Sequence, residues 1–85
     1  MSKKDKLIRR LKTKPKDFTY EEAKTLLNIF GFIENNKGKT SGSKVMFTKE
    51  LGNKKIEIHK PHPSNILKSY QINEIIKRLE EMEDF

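Results

Sequence analysis

Residues 44–59 read Lys44-Val45-Met46-Phe47-Thr48-Lys49-Glu50-Leu51-Gly52-Asn53-Lys54-Lys55-Ile56-Glu57-Ile58-His59. Val45 and Phe47 alternate with Lys44, Met46 and Thr48, and Ile56 and Ile58 alternate with Lys55, Glu57 and His59. A side-chain period of two is that of a strand with one buried and one wet face. The linker Lys49 to Asn53 contains Gly52, so the two strands are expected to form an antiparallel hairpin. Its wet face then carries Lys44, Met46, Thr48, Lys55, Glu57 and His59, a cationic plate with a histidine on it. A hairpin this small needs further layers to be stable, and the flanking sequence supplies them.

Upstream, Thr19 followed by Glu22 forms a capping box, with Phe18 placed as a hydrophobic staple. Ala23, Leu26, Leu27 and Phe30 fall on one helical face, and Gly31 stands where a left-handed cap is expected. The spacing predicts a helix over about Tyr20 to Phe30. Phe32 and Ile33 open a short strand that fades into Glu34, Asn35 and Asn36, followed by a loop from Lys37 to Gly42. Downstream of the hairpin, Pro61-His62-Pro63-Ser64-Asn65 reads as a turn, and Ser69 is the expected cap of a last helix with an apolar stripe of Ile72, Ile75, Ile76, Leu79 and Met82. At the start of the chain, Leu7, Ile8 and Leu11 suit a short basic helix that stops near Pro15. The expected fold is α+β, in the order α-α-β-β-β-α, with a three-stranded antiparallel sheet covered by helices on one face. Two segments are distinguished, a basic N-terminal helix or arm over residues 1–18 and a domain over residues 19–85.

Composition bounds what such a chain can do. Eighty-five residues make one small domain. With 33% apolar and 36% charged residues, the core is thin and a deep pocket is not expected. There is no cysteine, hence neither a disulfide framework nor a thiolate zinc site. No span of about 20 apolar residues is present, nor an apolar region after the lysine-rich start, so a cytoplasmic protein without a membrane segment is expected. The formal charge of +7 and a pI near 9.7 call for an anionic partner, nucleic acid first. Residues 1–16 hold eight cations against Asp5 and account for the whole excess; residues 17–85 are formally neutral. Within that neutral part, Lys37 to Lys60 carries seven lysines against Glu50 and Glu57. The nucleic-acid expectation therefore rests on the plate. The arm is expected to add affinity without taking part in chemistry.

Several chemistries are excluded or weakly supported. Gly38-Lys39-Thr40 resembles the end of a P-loop, but the glycine spacing is wrong and a strand follows where a helix is required. His59 and His62, with Glu57 alone nearby, are too few for a metal site, and no cofactor is expected. No GxSxG elbow is present.

The loop and strand Thr40-Ser41-Gly42-Ser43-Lys44-Val45-Met46-Phe47, followed by Ile56-Glu57-Ile58-His59-Lys60-Pro61-His62-Pro63, resemble the HicA family of toxin-antitoxin toxins. Gly31-Phe32, Gly42-Ser43, Phe47 and the stretch from Ile58 to Pro63 carry the resemblance, over roughly Thr19 to Met82. It implies a fold like that of double-stranded-RNA-binding domains. It also implies a metal-independent endoribonuclease that acts on mRNA, and a HicB-type antitoxin as protein partner, with no oligomer beyond a weak one outside that complex. The family's catalytic histidine follows the Gly-Ser pair, where this chain has Lys44. A protonated lysine is a poor general base, although it can stabilise charge on a phosphate. His59 is the best replacement, ahead of His62, because alternation puts it on the wet face with Lys44. The expected catalytic set is thus His59, His62 and Lys44, and the expected RNA contacts are Lys37, Lys39, Ser43, Lys44, Lys55 and Lys60. A non-catalytic nucleic-acid-binding module is the alternative, which the lysine at position 44 favours.

Overall fold

The computed structural model describes residues 2–35, 44–50, 53–61 and 64–82. The element order is α1 (Lys3–Lys12), α2 (Tyr20–Ile29), β1 (Ile33–Asn35), β2 (Lys44–Lys49), β3 (Lys54–His59) and α3 (Ser69–Met82), as expected from the sequence. Helix α1 begins where Ser2 Oγ accepts from the Asp5 backbone N–H at 3.2 Å. It ends at Lys12, three residues before Pro15, because the Thr13 hydroxyl and backbone N–H turn back onto the Arg10 carbonyl and Lys14 adopts φ +53°. Helix α2 has the full capping box, the Glu22 N–H donating to Thr19 Oγ1 and the Thr19 N–H to Glu22 Oε1. Gly31 follows with φ +102°, a conformation that side chains strain to adopt.

The sheet is antiparallel in the order β1-β2-β3. Register pairs Ile33 with Thr48, Asn35 with Met46, Lys44 with His59, Met46 with Glu57 and Thr48 with Lys55. Val45, Phe47, Ile56 and Ile58 are buried against the helices. Lys44, Lys55, Glu57 and His59 are exposed on the opposite face, with Met46 and Thr48 half-buried among them. The expected wet face is therefore formed, with one addition. Ile33, expected with Phe32 to open a short strand, points outward and is 70% exposed.

Helices α2 and α3 lie behind β1 and β3, and α1 packs on both helices. Leu7 and Leu11 belong to the same core as Phe18, Leu26, Phe47 and Ile72. Arg10 fixes α1 to the start of α2: its guanidinium donates to Glu22 Oε2 at 2.7 Å and to Asp17 Oδ1 at 3.1 Å, and it stacks over the Phe18 ring. The basic segment is a folded layer of the domain. One further tie was not visible in sequence. The end of the expected turn and the residues after it pair with the start of α2, the Tyr20 N–H donating to the Asn65 carbonyl and the Leu67 N–H to the Phe18 carbonyl, each at 2.8 Å.

Ser69, the expected cap of the last helix, is instead its first residue. The position before it is Lys68, whose backbone N–H donates to Gln71 Oε1 at 2.9 Å. Gln71 also donates from Nε2 to the His59 carbonyl at 2.7 Å. Gln71 therefore joins the start of α3 to the end of β3. No helix among the described residues is long and apolar enough to cross a membrane.

Candidate nucleic-acid interface

The open sheet face is built by strand alternation and the hairpin register. Since Lys44 pairs with His59 and Met46 with Glu57, Lys44 and Glu57 are diagonal neighbours on one face, within reach of long side chains. Lys44 Nζ lies 2.9 Å from Glu57 Oε2. His59 Nε2 lies 3.8 Å from the other oxygen of the same carboxylate. Glu57 therefore stands between a cation and an imidazole, all three open to solvent. The Lys44 ammonium holds the Glu57 carboxyl below its ordinary value, and the charges of His59 on the same strand and Arg78 on α3 act in the same direction. Sequence reasoning placed Glu57 on this face but gave it no role. The signal was its position, two residues before His59 and facing the same way; the diagonal contact with Lys44 depends on a register that alternation does not fix.

The other expected residues are distributed differently. Lys55 shares the face with Glu57, and no ion pair joins it to another described residue. Lys60, the residue after β3, faces the helix side, its ammonium 5.4 Å from the centre of the Tyr20 ring. There Tyr20 donates its hydroxyl to Glu34 Oε2 and Lys24 Nζ lies 3.1 Å from Glu34 Oε1. Burial and the Glu34 carboxylate push the Tyr20 phenol up, and the same hydroxyl with Lys24 draws Glu34 down. Lys60 thus belongs to a separate cluster on β1 and α2. Lys37, Lys39, Ser43 and His62 lie outside the described residues.

Neither family models, characterised proteins nor solved structures gave a match to this chain. Its chemistry is therefore read from its own side chains. No cluster of three or more histidines and carboxylates suited to a metal ion occurs among the described residues. Lys44, Glu57 and His59 place an ammonium, an ionised carboxylate and an imidazole within one patch. A carboxylate can accept a proton, an imidazole can give one, and an ammonium can stabilise charge on a phosphate. An open groove beside β3 and α3 is lined by Glu57, His59, Tyr70, Gln71, Glu74 and Arg78. It gives the same patch a second wall.

Proposed function

We propose that the chain is the toxin component of a HicA-type toxin-antitoxin system, a cytoplasmic endoribonuclease that cleaves mRNA without a metal and is neutralised by a HicB-type antitoxin. The observation that carries this reading is the Lys44-Glu57-His59 row on the open sheet face. It offers a way to cleave RNA although the family's histidine is replaced by Lys44. Glu57 takes the proton of a 2′-hydroxyl, O2′ attacks the adjacent phosphorus, and the 5′-oxygen leaves with a proton from the His59 imidazolium. Lys44 stabilises the negative charge that builds on the phosphoryl oxygens. The products are a 2′,3′-cyclic phosphate and a 5′-hydroxyl. A carboxylate held ionised suits the base better than a lysine does, and the imidazole beside it is placed to serve as the acid. His62 and the lysines of the preceding loop, Lys37 and Lys39, with Ser43, complete the proposed contacts to RNA.

The test is cleavage of a defined mRNA by the purified chain in excess chelator. Glu57→Gln and His59→Ala should each lower the rate by about 100-fold or more, the usual range for loss of a general acid or base, while Lys44→Ala loses charge stabilisation and His62→Ala loses less. Equal cutting by the wild type and all four variants would mean that the activity lies elsewhere or in a contaminant. The replacement of histidine by lysine at position 44 favours a second reading, a binding module without catalysis. Salt-sensitive RNA binding with no cleavage, and no growth arrest when the chain is expressed without a partner, would select it.

A further inference from the structure

Continuing along β2 from Lys44, the open face changes character. Ile33 and Thr48 are register partners, as are Asn35 and Met46. With Lys55 opposite Thr48, they line a partly open groove of about 510 Å³, with Lys49 and Glu50 also in its walls. Its walls include the side chain of Ile33, the most exposed large apolar residue described, and the half-buried Met46. Single exposed apolar residues are ordinary. Here Ile33 and Met46 meet in one groove, with Lys55 in its wall and Lys44 two residues before Met46 on the same face of β2.

We propose, on the reading given above, that this groove receives one unstacked base of a single-stranded RNA whose neighbouring phosphate lies on the Lys44-Glu57-His59 patch. Three features favour a nucleotide over another occupant. Same-face residues two apart on a strand are spaced by about 7 Å, a distance that one extended nucleotide spans, so a phosphate at Lys44 brings the next base over Met46. The groove combines apolar side chains with the amide of Asn35 and the hydroxyl of Thr48, as suits a base with an apolar face and a polar edge. Lys44 beyond Met46 on β2 and Lys55 in the groove wall match a chain with a phosphate on each side of the base. Met46 and Ile33 serve as the packing surface that aromatic residues provide in other single-strand binders, and Lys55 holds the following phosphate. The substrate class is thereby narrowed to unpaired RNA, since a base held in a duplex stack cannot enter.

The experiment measures binding of a fluorescent eight-nucleotide RNA, 2′-O-methylated so that it cannot be cut, and of a set in which each position in turn is abasic. The wild type should lose about ten-fold in affinity at one abasic position, the scale of one stacked base. Ile33→Ser should lose a similar factor on the intact RNA and become indifferent to that position, with an unchanged melting temperature. Lys55→Gln should weaken every oligonucleotide alike and lower the salt slope by about one. Equal affinity of Ile33→Ser and wild type, or no distinguishing abasic position, would overturn the groove assignment while leaving RNA binding, and cleavage of unmodified RNA, intact. A wild type that binds no RNA overturns the ribonuclease reading and the groove with it. Dimerisation through this face, reversed by Ile33→Ser, would give the groove to a second copy of the chain and overturn the proposal.

Discussion

At Gln71 one buried side chain joins the start of α3 to the end of β3, accepting from Lys68 and donating to the carbonyl of His59. Gln71→Ala leaves that carbonyl without its donor and the helix start without its acceptor, so it should cost about 1–3 kcal/mol, measured as a lower urea midpoint at unchanged slope. Gly31→Ala should cost a similar amount for a different reason. The added methyl meets the flexible Lys49 side chain at 3.2 Å, which can move, but φ +102° imposes backbone strain of about 1–3 kcal/mol. The two residues differ in how visible they were. Gly31 follows a capped, periodic helix and announces its role, as do Thr19 and Glu22. Gln71 does not, because its acceptor comes from a strand twelve residues away in sequence, while serine at position 69 satisfied every local rule for a cap. Glu57 was half visible: alternation gave its face, and register gave its neighbours.

Among the elements, α1 departs furthest from its sequence appearance. Read by charge it is an arm; read by burial it is a wall of the core, with Leu11 0% exposed and Arg10 bound to Glu22 and Asp17. Leu11→Ala should therefore cost about 2–5 kcal/mol, seen as a lower melting temperature. Deleting residues 2–16 should uncover Phe18 and its neighbours and unfold the domain, a loss of cooperative melting that separates this from removal of a mere affinity tail. The lysine-rich composition hid this because only Leu7, Ile8 and Leu11 mark the buried stripe, and long cationic side chains crowd the rest of the helix. The strands were the most legible elements. Five of the six expected open-face residues differ in chemistry from the buried set of valine, phenylalanine and isoleucine, so their alternation could not be mistaken for a helical period.

At the scale of the molecule, three carboxyls among the described residues are held below their ordinary range: Glu22 by Arg10, Glu34 chiefly by the Tyr20 hydroxyl, and Glu57 by Lys44. Each is lowered on folding, so each contributes stability above the unfolded-state value of about 4.3, and that contribution is lost as pH falls through the folded value. The domain should lose stability on acidification below about pH 4, and Glu22→Gln should flatten the dependence, as followed by the urea midpoint against pH. The same sign carries to cleavage. With Glu57 as base, the acid limb of the rate profile should lie below the ordinary glutamate range, and Lys44→Ala should move it upward.

Among the described residues, the strand order leaves one side of β3 unpaired by another strand, over six residues. Such a strand is a template on which another copy could grow as a fibril. Here its open-face residues are Lys55, Glu57 and His59, and a second β3 stacked alongside in parallel register would set lysine against lysine and glutamate against glutamate. The side chains proposed to act on RNA thus also keep the chain dispersed, so a variant stripped of them to abolish cleavage trades activity for a tendency to aggregate.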